Sequence, residues 1–261
     1  MSSTDTLPPA RLLSRPVLIA AGALALASAL AWIWLATRGM APDAMAGMPD
    51  MPGMAGPEPF SAGYLLPAFT MWALMMVAMM LPAAAPMILL HARIDRGTPS
   101  QRARNSLLFA LCYLAVWAAF SALAALAQAA LIEAGLLSSA SLALGSRALT
   151  AFLLLAAALW QLTAAKAACL AQCQSPLQFV MRYWQPGPAG AVRLGLRHGL
   201  FCLGCCWSLM LLLFAGGVMN LGWVALLAAI VFVEKLAPPG WHVRHWLAAA
   251  LAAAAGAVLI A

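Results

Sequence analysis

The sequence predicts an all-α, polytopic integral membrane helix bundle of about seven transmembrane helices, N-terminus inside and C-terminus outside. Three observations carry this expectation. Hydrophobic residues fill 65% of the 261 positions, charged residues only 8%, and the mean hydropathy is +0.94, whereas soluble domains carry about 25% charge. The apolar residues fall in runs of roughly 20, the length needed to cross a bilayer. The basic residues are unevenly shared between alternate loops. With the N-terminus inside, every one of the fourteen Lys and Arg except Arg38 and Arg147 lies on the cytoplasmic side, which is the bias that fixes orientation. The formal charge of +7 therefore encodes topology. There is no nucleic-acid motif, and the expected partner is the lipid bilayer.

Residues 1–15 form a polar cytoplasmic tail. Arg11 and Arg15 precede an apolar run over 16–36; it is longer than the apolar stretch of a signal peptide and reads as an uncleaved membrane anchor helix. Residues 37–63 form a periplasmic loop rich in Met, Pro and Gly, and 64–261 form a membrane helix bundle with a metal-binding core. Its first span, about 64–90, contains MWALMMVAMMLPAAAPMILL, with Pro82 and Pro86 as kinks that a membrane helix tolerates when neighbours satisfy the freed carbonyls. Further spans are expected over about 106–132, 148–167, 198–219 and 221–236. The last, about 244–261, follows the break at Pro238-Pro239-Gly240.

The span from His198 to Met210 is unusual in its donors: His198, Cys202, Cys205, Cys206 and Met210. At 100° per residue His198, Cys202 and Cys205 lie within ~60° of one another, with Cys206 and Met210 on the same flank. Thiol and imidazole donors three and four residues apart on one face suit a soft metal ion. A lone cysteine reads more simply as a small apolar residue, and His198 at the rim as a helix cap. Cys169 and Cys173 share a face if the fourth span continues as helix, and by topology they sit at the same depth. All six cysteines then lie in the inner half of the membrane or at its inner face, which excludes an extracellular disulfide framework and predicts reduced thiols.

The methionines have the opposite bias. In the outer loop Met45, Met48, Met51 and Met54 recur at every third residue. Thioethers need no deprotonation and form no disulfides, which suits Cu(I) in an oxidising compartment; a low-complexity linker is the simpler alternative. Met71, Met75 and Met79 form a stripe at helical spacing, either as ligands or as gap-filling core. His91 reads as an interfacial cap. Glu234 and Lys235 end the sixth span, where charges are costly unless paired, and Lys166 is the candidate partner of Glu234. No nucleotide-binding or haem-attachment motif is present, which argues against an ATP-driven pump.

Three stretches, TMWALMMVAMMLPAAAPM, LWQLTAAKAACLAQCQSP and GLRHGLFCLGCCWSLMLLLFAGGVMNLGWVALLAAIVFVEKLAPPG, together resemble a bacterial family of predicted metal-binding integral membrane proteins. The resemblance covers about 65–240, with Cys-x-x-Cys-Cys-Trp and Glu-Lys as its most specific parts; the anchor, the Met-rich loop and the last span lie outside it. Members include a membrane copper chaperone for a tyrosinase-like oxidase. The resemblance implies copper handling centred on Cys202, Cys205 and Cys206, supported by Cys169, Cys173 and the Met-rich span. The expected protein is a non-enzymatic, multi-pass protein of the bacterial inner membrane that relays or delivers Cu(I) to a periplasmic or membrane cuproenzyme or copper chaperone. The alternative is a thiol–disulfide electron carrier using Cys202/Cys205 and Cys169/Cys173.

Overall fold

The apolar runs fold as helices throughout a computed structural model that describes residues 15–39, 58–138 and 141–260. The order is α1 (Arg15–Trp34, continuing as a π-turn to Gly39), α2 (Ala62–Ile94), α3 (Pro99–Glu133), α4 (Arg147–Leu162), α5 (Ala164–Gln174), α6 (Pro176–Tyr183), α7 (Gly187–Leu211), α8 (Leu213–Gly216), α9 (Leu221–Leu236) and α10 (Val243–Ile260). The N-terminal tail to residue 14 and residues 40–57, which hold Met45, Met48, Met51 and Met54, lie outside the described residues.

Among the described residues, five helical segments are long and apolar enough to cross a membrane: Val17–Thr37, Ala62–Ile94, Pro99–Glu133, Gly187–Gly216 and Val243–Ile260. A sixth arises if Arg147–Leu162 and Ala164–Gln174 are taken together across their 68° bend. The 16 residues of α9 rise only ~24 Å, short of the ~30 Å hydrocarbon core. The all-α helical membrane bundle is therefore as expected.

Two element boundaries differ from the sequence reading, and both matter to the site. The fourth apolar run does not continue through residue 167. It breaks at Thr163, whose extended backbone (ψ 147°) and side-chain oxygen, accepting from the Lys166 N–H, start a new helix. The fifth run does not begin at His198. Pro186-Gly187-Pro188 starts α7 eleven residues earlier, because Pro fits the first helical turn where its missing N–H is no loss. Arg193 and Arg197 do not stop it: Arg193 donates to the Gln185 side chain at 2.9 Å, and the Arg197 guanidinium lies 4.3 Å from the Tyr183 ring centroid.

The core forms where α2, α3 and α7 meet, with α1 outside α2 and α10 against α4. Proline explains how α1 is held. Pro82 has no N–H to offer the Ala78 carbonyl, so that oxygen accepts instead from Ser28 Oγ at 3.1 Å and Trp32 Nε1 at 3.2 Å. On the other side, Trp72 Nε1 donates to Gln128 Oε1 at 2.8 Å and Gln128 Nε2 to Tyr64 Oη at 2.6 Å, joining α2 to α3. Glycine sets the distance between α3 and α7. A Cβ on Gly195 would collide with the Phe109 carbonyl, and one on Gly199 would lie 2.8 Å from Val116 Cγ2. This small-xxx-small pair lets the two backbones approach closely.

Candidate metal centre

The break at Thr163 turns α5 inward across the bundle, and three contacts fix it there. Lys166 Nζ donates to Glu234 Oε2 at 2.8 Å, with both side chains buried, so the pair expected from sequence is formed. Gln174 Nε2 donates to the carbonyls of Glu234 and Ala237 at 2.9 and 3.2 Å, satisfying the free C-terminal end of α9. Gly204 of α7 lies under Cys169: a Cβ there would be 2.8 Å from the Cys169 sulfur. So placed, α5 brings the Cys173 sulfur to 4.0 Å from that of Cys205.

On α7 the three cysteines are fully buried, and each sulfur has a defined neighbour. Cys205 Sγ and Cys206 Sγ lie 3.8 Å apart, and both thiols donate back to the Cys202 carbonyl, at 3.1 and 2.7 Å. Cys202 Sγ accepts from Lys235 Nζ at 2.8 Å and lies 3.1 Å from Tyr113 Oη. Tyr113 Oη donates to the Met80 carbonyl at 3.0 Å, and Lys235 Nζ lies 4.0 Å from the Met80 sulfur. All six cysteines are free thiols.

Two thiolates bound at ~2.3 Å to one tetrahedral ion stand about 3.8 Å apart. The sulfurs of Cys173, Cys205 and Cys206 have spacings of that size between neighbours, so this donor set fits a soft cation as cargo. As the side chains stand, no three His, Cys, Asp or Glu among the described residues surround a common metal position. The reason is visible: Cys202 is turned toward Lys235 and Tyr113, and the thiols of Cys205 and Cys206 are bonded to their own helix. Rotation about χ1 frees both, since these are the local back-bonds that thiols and hydroxyls make within a helix.

The structure separates His198 from the rim where sequence reading had it. It is 3% exposed, midway along α7, stacked on Tyr113 (centroids 5.4 Å apart, planes at 25°) and edge-on to Phe179. Its Nδ1 has no hydrogen-bond partner. His91 is likewise no interfacial cap: it is buried, its Nδ1 is 3.3 Å from Ser106 Oγ, and its ring lies against Phe109 and Trp184. Met210, Met71, Met75 and Met79 are all buried in the same apolar core as the three α7 cysteines. Cys112, half-buried, packs its Cβ against Gly195 of α7.

Sequence reasoning missed Tyr113 and the direct contact of Lys235 with Cys202. Lys235 carried a signal, since a charge at the end of an apolar run needs a partner. Tyr113 carried none, because an aromatic residue inside a span is usually packing.

No curated protein and no solved structure matches the chain. A family model described as a copper chaperone, PpoB2, matches residues 69–258. The match takes in α10, which the sequence resemblance had left outside, and covers every cysteine, Tyr113, Lys166, Glu234 and Lys235. The chain therefore belongs to the PpoB2 family of copper chaperones.

Proposed function

We propose that this membrane protein carries Cu(I) as cargo on Cys202, Cys205, Cys206 and Cys173, with Cys169 adjoining, and hands it to a cuproenzyme or copper chaperone. The observation that carries the reading is the meeting of α5 and α7, where Cys173, Cys205 and Cys206 stand 4.0 and 3.8 Å apart between neighbours inside the segment that matches the copper chaperone family. Thiolate is the ligand that selects Cu(I) over harder ions. The protein performs no catalysis of its own in this reading; the metal is bound, moved and released.

The remaining parts follow from the same chemistry. The chain lies in the bacterial inner membrane, N-in and C-out, with α9, short enough to require local thinning of the bilayer, and α10 completing seven crossings. The loop methionines Met45, Met48, Met51 and Met54 and the stripe Met71, Met75 and Met79 provide weaker thioether sites toward the periplasm. The tighter thiols stand toward the cytoplasm. His198 and Met210 flank the thiol set.

The test is metal analysis of the full chain purified in detergent after copper loading under reducing conditions. The variant Cys202→Ser/Cys205→Ser/Cys206→Ser should lose its tightly held copper. Retention at the wild-type level refutes the reading.

A further inference from the structure

A small cavity of about 100 Å³ opens beside the thiol set between α2, α5, α7 and α9. Its walls include Met87, Cys173, His198 and Lys235, with Ala83 and Pro86 on the α2 side. It has room for roughly three waters at ~30 Å³ each, too small for an organic ligand and large enough for a metal ion with one or two exchanging ligands. Its chemistry is uneven in an informative way. Met87 brings a thioether, His198 an imidazole whose Nδ1 has no partner in a 3% exposed side chain, and Cys173 a thiol already 4.0 Å from Cys205. An imidazole nitrogen left unsatisfied this deep is costly, and a neutral Nδ1 gains its bond when a soft cation arrives.

We propose that this cavity is the port through which Cu(I) enters or leaves the thiol set, with Met87 and His198 as a transient docking pair and Cys173 as the first fixed thiol. The inference rests on the copper-carrying reading above and adds its route. Met87 Sδ and neutral His198 Nδ1 accept Cu(I) from an external thiol or thioether donor without giving up a proton. One bond to copper forms as one to the donor breaks, with no change of oxidation state. Transfer onward to Cys173 forms a Cu–S bond, breaks the bond to Met87 or His198, and releases the thiol proton to water in the cavity. Cys205, the neighbour of both Cys173 and Cys206, is the next thiol in line. His198 and Met87 are therefore not permanent ligands: they set the rate of exchange and leave the final affinity alone.

The experiment uses the full chain in detergent and a water-soluble Cu(I) chelator, bathocuproine disulfonate, as the probe. It measures both the rate of copper removal by stopped-flow absorbance and the copper retained at equilibrium. Met87→Leu/His198→Phe keeps the volume and the aromatic stack on Tyr113 and Phe179. It should slow removal about tenfold, a barrier change of about 1.4 kcal/mol, while equilibrium affinity stays at the wild-type value. Ala83→Leu, which narrows the cavity without touching a donor, should slow exchange in the same direction and serves if the double variant fails to fold. Unchanged rates in the folded variants overturn the port. Loss of equilibrium affinity in the double variant overturns it too, because the pair would then be resident ligands. Wild-type protein that binds no copper refutes the copper-carrying reading itself, which separates the two failures.

Discussion

Two buried lysines sit close together in the structure and are used differently. Lys166 on α5 meets the Glu234 carboxylate at 2.8 Å, while Lys235, the next residue along α9, meets the Cys202 sulfur at 2.8 Å. The first pair joins two hard groups, an amine and a carboxylate, and it ties α5 to α9. The second couples a cation to a sulfur that a soft metal competes for. The same contrast divides the sulfurs. The thiols of Cys202, Cys205 and Cys206 each meet a polar neighbour within the apolar core, whereas Met71, Met75 and Met79 are packed in it among apolar side chains. In the copper-carrying reading, structure is fixed by the contacts copper ignores, and the site is built from those copper can replace.

Breaking the structural pair should have the largest effect. Lys166→Met leaves the Glu234 carboxylate buried without its partner, and removing one member of a buried pair costs about 3–5 kcal/mol. The thermal midpoint in detergent should fall sharply, and Lys166→Met/Glu234→Leu should recover most of the loss. If the single and double variants melt alike, the pair is not what anchors α5.

Next comes the thiol contributed from outside α7. Cys173→Ser removes one direct thiol and should lower Cu(I) affinity by at least the roughly 10–100-fold that loss of a mere outer-shell partner costs, with little change in melting. Unaltered affinity in a chelator competition would confine the site to α7 and separate it from α5.

How far these parts were legible in sequence follows the range of the interactions. The membrane bundle was legible because hydropathy is local, and the shared buried face of Cys202, Cys205 and Cys206 because helical spacing is. The Lys166–Glu234 pair was legible because so few charges lie within the spans that the candidates nearly pair themselves. The bend at Thr163 was not: threonine as a cap and threonine inside an apolar run look the same until Lys166 is drawn toward α9. The Tyr113 and Lys235 contacts with Cys202 were hidden for a related reason. They depend on the close approach of α3 and α7 at Gly195 and Gly199, and on the end of α9 reaching the same level.

The methionine stripe sharpens the comparison from the apolar side. Met71→Leu/Met75→Leu/Met79→Leu conserves volume, so each change should cost less than about 1.5 kcal/mol, and tightly held copper should remain. Loss of that copper would move the primary site from the thiols of α7 to the thioethers of α2.

The smallest expected effect tests how the proline-bent α2 is held. Ser28→Ala removes one of the two donors to the Ala78 carbonyl that Pro82 leaves free. Hydrogen bonds between membrane helices average about 0.6 kcal/mol, and Trp32 Nε1 still serves the oxygen, so the shift in melting should be slight. Trp32→Phe alone should be similarly mild. Ser28→Ala/Trp32→Phe leaves the carbonyl with no partner in an apolar layer, and the double variant should cost more than the sum of the singles. Strict additivity would mean that α1 is held by its apolar contacts alone. Because none of these groups touches a thiol, copper affinity should stay constant across the series, which tests whether the anchoring of α1 and the metal chemistry of α7 are independent.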